Sequence, residues 1–204
     1  MATENDPNSA RPGEGFYRYA LRAVRGEFLA GLRAETRNRA RAAAPLPAWS
    51  HPYVGYLVTA ALTVASAAII AGWSGGVTLL SLAAYSQTQL LLSDYVQHYG
   101  LRRAPRADGK PEPVGPAHSW NAPQWYSGAM MLNAARHSDH HTRPTRPYPA
   151  LELEPATMPM LPRSLPVMAA LALVPPLWRR VMDPRVAQWQ TRISDPAPAP
   201  AVPA

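Results

Sequence analysis

Three of the six histidines in this chain fall within five positions, in the string Arg136-His137-Ser138-Asp139-His140-His141. On a helix His137, His140 and His141 stand at i, i+3 and i+4, so their rings leave one face about 100° wide. Neutral imidazole is the commonest metal ligand, and first-row metals such as iron and zinc accept it well. The spacing makes a metal comb, against the alternative of a solvated His-rich turn ended by Thr142-Arg143-Pro144. With no cysteine in 204 residues, thiolate sites and disulfides are excluded, and any metal sits on histidine or carboxylate. Asp139 projects away from the comb, toward an expected salt bridge with Arg136 or Arg143.

Two further histidines lie near such a site in sequence terms. His98 follows Asp94 by one helical turn, and a carboxylate so placed beside a ligating histidine fixes its tautomer and orientation. The alternative is an Asp and a His wetted at a helix end. His118, in His118-Ser119-Trp120-Asn121, is assigned a hydrogen-bonding role beside the site rather than ligation.

The elements that must hold these residues point to a membrane. A net charge of +7 suggests nucleic acid, but the charge is partitioned: no Lys or Arg lies between Ala42 and Leu101, eight precede that window and twelve follow it. Residues 1–14 are a polar segment without the features of a signal peptide. Residues 15–44 read as an amphipathic interfacial helix, with Tyr17, Leu21, Val24, Phe28 and Leu32 as an apolar stripe beside Arg18, Arg22, Arg25, Arg33 and Arg37. An ordinary amphipathic helix of a soluble bundle is the competing reading.

Residues 53–100 read as a transmembrane helical hairpin. Tyr53 to Gly72 is uncharged and long enough for a bilayer core of about 30 Å, and Trp73-Ser74-Gly75-Gly76 reads as the turn. The second leg carries Ser86, Gln87, Thr88 and Gln89, which suit a helix lining an internal site, and Gly100 stops it. Arg-rich flanks on both sides place its ends, and the histidines, in the cytoplasm. Residues 101–163 form a cytoplasmic His-box region, in which Asn121 caps an expected helix from Ala122 to His141. Residues 164–192 are a short apolar or interfacial segment, and 193–204 a disordered tail. The fold class is all-α integral membrane.

Three strings carry a resemblance to a known family: D-Y-V-Q-H-Y-G-L at Asp94–Leu101, H-S-W-N at His118–Asn121, and R-H-S-D-H-H-T-R-P-T-R-P-Y at Arg136–Tyr148. They resemble the C-terminal half of the membrane-bound alkane 1-monooxygenases, of the transmembrane desaturase and hydroxylase type. The resemblance implies His98, His137, His140 and His141 as ligands in a centre of two irons, and no catalytic residue beyond the ligands. Asp94, Gln97 and His118 are implied as the groups around them. The implied reaction is terminal hydroxylation of an alkane by O2 with electrons from a rubredoxin-type donor, at the bacterial inner membrane and in contact with lipid, with no nucleic-acid partner. Gln97 stands where the family has Glu and Asp94 where it has Asn, so Asp94 is expected to take over the supporting role. The family's first two His boxes, H-E-x-x-H and E-H-x-x-G-H-H, are absent from the sequence, and the expectation is a truncated, late-started or split enzyme. The open alternatives are a non-catalytic membrane remnant, a fatty-acyl desaturase or hydroxylase of the same superfamily, and a mononuclear metalloprotein.

Overall fold

The computed structural model describes residues 2, 3 and 6–194. Its helices are α1 (Phe16–Ala40), α2 (Pro52–His98), α3 (Trp125–Met130), α4 (His137–Thr142), α5 (Leu165–Ala172) and α6 (Pro175–Ser194). Among the described residues β-pairing is confined to two isolated bridges, Pro105 with Pro111 and Asn121 with Met160. The all-α reading therefore stands. The chain divides into one unit of Met1–Leu21 with Leu92–Ala204 and a second of Arg22–Leu91, and α1 and α2 each run through both.

In the second unit α2 is long and apolar enough to cross a membrane, and none of its most apolar window is buried. Ile69 and Ile70 are 84% and 85% exposed. An exposed chain of that size forfeits about 1.5–3 kcal/mol of burial in water, so such a surface is stable only in an apolar medium or under a covering partner. The helix is broken at Ala71 (φ −125°, ψ 20°) and Gly72 (φ 66°, ψ −165°), the latter a conformation reserved for glycine. A Cβ on Gly75 would overlap the Ala67 carbonyl, and one on Gly76 would lie 3.6 Å from Ala68 Cβ. Eight residues of straight helix are about 12 Å long, so these approaches require the chain to turn back on itself. The turn thus sits at Ala71–Gly72, just ahead of the expected Trp73–Gly76, because one glycine at positive φ suffices.

In the first unit the core gathers around the last turn of α2. Tyr95 and Tyr99 are fully buried, and each ring lies 5.2 Å from Trp178. The segment 164–192, expected to be short and apolar or interfacial, forms two helices, α5 and α6, packed on this core. Trp178, Met182, Val186 and Trp189 form a buried stripe along α6 at helical spacing, uninterrupted by Pro184. The polar N-terminal segment also turns inward. Gly13 N–H donates to the Tyr99 hydroxyl (2.8 Å), which donates to Asp183 Oδ1 (2.5 Å), while the Tyr95 hydroxyl donates to the Glu14 carbonyl (2.6 Å).

Gly100 ends α2 in the left-handed region (φ 71°), as the sequence suggests, and a Cβ there would lie 2.7 Å and 2.8 Å from the Val186 methyls. Gly100→Ala combines that backbone conformation, at about 1–2 kcal/mol, with overpacking of about 1–3 kcal/mol. The expected outcome is a lower thermal midpoint of the full-length chain in detergent. An unchanged midpoint would mean that α6 does not pack on this helix end.

The single helix expected from Ala122 to His141 is two short ones. Leu132 (φ 51°) and Asn133 (φ 57°) are left-handed and break it, and Ala134 to Arg136 lead into α4. Asn tolerates this conformation better than other non-glycine residues, and here its N–H reaches back to the Gly128 carbonyl (2.7 Å).

Candidate metal centre

His98 comes from the last residue of α2, and His137 and His141 come from one face of α4. The structure brings these three together, with one ligand atom from each lying within 4.8 Å of the others. His137 Nε2 is 3.2 Å from His98 Nε2 and 2.9 Å from His141 Nε2. Two nitrogens bound at about 2.1 Å to one metal lie about 3.0 Å apart at a right angle and about 3.4 Å apart at the tetrahedral angle. The two separations at His137 match a shared metal, and the His98 and His141 nitrogens lie within 4.8 Å of each other.

The protons also fit. His98 Nδ1 faces the backbone carbonyl of Asp94 at 3.1 Å, and a carbonyl only accepts, so Nδ1 carries the hydrogen and Nε2 its lone pair. The His137 ring likewise bonds to the Ala134 carbonyl; since its Nε2 faces the other rings, Nδ1 is the donor. In these tautomers two lone pairs face each other across 3.2 Å. A cation between them relieves the repulsion.

His140 is exposed, with its ring centroid 6.0 Å from that of His137, and it is not one of the three convergent ligands. The Asp94 main-chain carbonyl accepts from the His98 ring. Gln97 is fully buried, and its Nε2 donates to the same Ala134 carbonyl (2.8 Å) that receives the His137 ring, while its Oε1 accepts from Ser93 Oγ (2.8 Å). Gln97 therefore braces the ligand helix. His118 has both nitrogens engaged: Nδ1 accepts from Gly115 N–H (2.8 Å), so Nε2–H donates to Glu112 (3.0 Å). It anchors the preceding loop and does not touch the three rings.

Other residues fix α4. Asn121 is fully buried, and its Oδ1 accepts from Ser138 N–H (2.9 Å), capping α4 from a distant segment rather than the helix that follows it. Its Nδ2 donates to Ser138 Oγ (2.7 Å), to the Ser119 carbonyl (2.8 Å) and to the Pro159 carbonyl (3.2 Å). The Ser138 hydroxyl proton lies between the carbonyls of Pro116 (2.7 Å) and Ser119 (2.9 Å). Asp139 is buried and pairs with Arg146 (3.0 Å), Arg143 (3.5 Å) and Glu152 N–H (3.0 Å). The salt bridge to Arg143 is the one expected, and Arg146 is added by the fold of the following loop. Arg136 instead donates to the Leu151 carbonyl. Sequence reading missed Ser138 as a support; its only signal was its place inside the histidine string.

Burial, then the positive charges that neighbouring histidines would carry, holds the His137 ring well below the ordinary imidazole range. Burial, then His140, lowers His141 to about 4. Both rings are therefore neutral and able to ligate at neutral pH. An unfolded histidine takes up its proton near pH 6.5, so these groups favour the folded state fully above that value and lose their contribution as pH falls toward 4. The metal-free chain is accordingly expected to lose thermal stability between about pH 6.5 and 4. A midpoint flat across that window would contradict the buried, neutral state of both rings.

The chain matches the model of the fatty acid desaturase family over residues 1–172. It is 36% identical to alkane 1-monooxygenase 1 of Pseudomonas aeruginosa over 187 residues, covering 91% of this chain and 48% of that protein. It is 33% identical to alkane 1-monooxygenase 2 of the same organism, over 91% of this chain and 49% of that protein. To the alkane 1-monooxygenase of Acinetobacter baylyi it is 36% identical, over 91% and 45%. The chain spans about half the length of these relatives.

Proposed function

Because the chain belongs to the fatty acid desaturase family, we propose that it serves as an alkane 1-monooxygenase of a bacterial inner membrane, with iron held by His98, His137 and His141 on the cytoplasmic side. The observation that carries this reading is the convergence of the His98, His137 and His141 ring nitrogens, 3.2 Å and 2.9 Å apart about His137 and drawn from two motifs 39 residues apart. Bound there, iron supplies the redox chemistry that dioxygen activation needs. The chain's own groups prepare the site: the Asp94 and Ala134 carbonyls hold the two Nδ1 protons, Gln97 fixes Ala134, and burial keeps His137 neutral.

The substrate is an alkane, by analogy with the relatives' names, and the exposed apolar legs of α2 keep the protein in the phase where such a chain dissolves. Conversion of R–CH3 with O2, two electrons and two protons to R–CH2OH and water needs an external reductant, assigned to a rubredoxin-type protein. The Arg-rich flanks of α2 support the cytoplasmic placement. A second reading, one metal rather than two, is favoured by the separation of His140 from the three convergent rings.

The test is made in the cells that produce the chain. Membranes carrying His137→Ala are compared with unaltered membranes for conversion of an n-alkane to the primary alcohol, by gas chromatography with O2 and reductant present. Loss of the alcohol is expected; equal conversion would remove this chain from the reaction. Metal analysis of the purified chain then distinguishes one iron from two.

A further inference from the structure

Within the unit Arg22–Leu91, helix α1 is fastened to the start of α2. Arg39 donates to the Ser50 carbonyl (2.9 Å), the Pro47 carbonyl (2.8 Å) and Ser50 Oγ (2.8 Å). The Tyr53 hydroxyl donates to the Phe28 carbonyl (3.2 Å), and its ring packs edge-on against Phe28 at 5.2 Å. That hydroxyl fills the space a side chain at Gly31 would need. His51 Nδ1 accepts from Tyr53 N–H (3.2 Å), which leaves Nε2–H to reach Thr36 Oγ1 (3.3 Å). This elbow obliges α1 to lie wherever the apolar helix begins. Trp49 and Tyr56, 77% and 66% exposed at the same place, are the aromatic types that settle at a membrane–water interface.

The exposed part of α1 has two characters. Val24 and Phe28 stay 44% and 48% exposed on one side, and Arg25, Arg33 and Arg37 are exposed beside them. Leu32, Arg33, Thr36 and Arg37 line a groove of about 580 Å³. Arg37 Nε donates to the Arg33 carbonyl (3.2 Å), which fixes one guanidinium of the groove and leaves its two Nη groups for another acceptor. Leu32 is thus the apolar residue of this open groove and Arg33 and Arg37 its cations, at the end of the Val24–Phe28 stripe and on a helix fastened to one of membrane-spanning length.

We propose that this groove binds the phosphate of an anionic glycerophospholipid, with α1 lying in the headgroup layer and Val24, Phe28 and Leu32 against the acyl chains. The two guanidiniums match a phosphate diester, and the stripe matches the chains attached to it. An acidic soluble partner would use the arginines but would leave the stripe in water. The inference rests on α2 crossing the membrane and is independent of the metal.

Full-length chain in mild detergent is offered phosphatidylglycerol and phosphatidylcholine in equal amounts, and bound lipids are counted by native mass spectrometry. Wild type is expected to retain phosphatidylglycerol preferentially. Arg33→Gln with Arg37→Gln should weaken that binding about 30-fold, since two cations near an anionic surface contribute about 1 kcal/mol each. Arg33→Lys with Arg37→Lys should keep most of it, with unchanged helicity in all forms showing that the fold survives. Equal retention by wild type and the Gln variant, no preference between lipids, or full competition by millimolar inorganic phosphate would each overturn the proposal. Reconstituted with vesicles of the same two lipids, a chain that enters both without preference fails on the groove alone, and one that stays out of both overturns the membrane reading as well.

Discussion

His137→Ala is expected to reduce metal affinity of the full-length chain by at least about 100-fold, because its Nε2 is the only one facing both neighbours, 3.2 Å from His98 and 2.9 Å from His141. Loss of a group that merely orients a ligand costs about 10–100-fold, and loss of the central ligand exceeds that. Titration with Co(II), a spectroscopic stand-in for Fe(II), reads the site directly. His140→Ala is the comparison: an exposed ring outside the convergent set should change affinity less than about threefold. Equal losses from the two substitutions would return His140 to the ligand set that the family resemblance implies.

Asn121→Ala should be the most damaging change outside the ligands. It removes the cap on Ser138 N–H and the two Nδ2 hydrogens shared among three acceptors, all in a fully buried setting. A lost cap costs about 1 kcal/mol, and each buried group left without its partner about 1–3 kcal/mol, so a total of about 3–5 kcal/mol is expected. For a chain of this size that is a fall of roughly 10–15 °C in thermal midpoint. Metal affinity should drop with it, because α4 carries two of the three convergent rings. Asn121→Asp separates the roles, since a carboxylate still accepts from Ser138 N–H but donates nothing. A drop of only a degree or two in the alanine variant would show that α4 is held by other contacts.

What the sequence disclosed about the site follows from spacing. His137 and His141 at i, i+4 must share a helix face, which made a metal comb readable, while His98, at the end of an uncharged stretch stopped by Gly100, joined it only through the family resemblance. The separation of His140 was not readable, because i+3 and i+4 serve a single comb equally well until a third ring from elsewhere selects one side. The break between α3 and α4 was hidden in Met130-Met131-Leu132-Asn133-Ala134-Ala135, which favours helix locally and is overruled by tertiary contacts of Asn133 and Arg136. Helix α6 was masked by Arg179, Arg180, Asp183, Pro184 and Arg185, whose charge conceals the stripe on the other face. The inward-turned N-terminal segment gives no periodic signal, since it packs through backbone groups and the Tyr95 and Tyr99 hydroxyls. Of the tail expected at 193–204, residues 195–204 lie outside the described residues.

The amide at position 97 makes a substitution that looks conservative behave otherwise. Gln97 gives a hydrogen to the Ala134 carbonyl and takes one from Ser93, and an ionised glutamate, with no hydrogen to give, would set a negative charge against that carbonyl. The oxygen that steers the His137 ring would then have to shift, or the glutamate would have to keep its proton. Position 97 is therefore coupled to the His137 ring through a main-chain oxygen, so Gln97→Glu should alter the electron-donating strength of His137 although it touches no ring, and exchanging the side chain at position 134 alone should not.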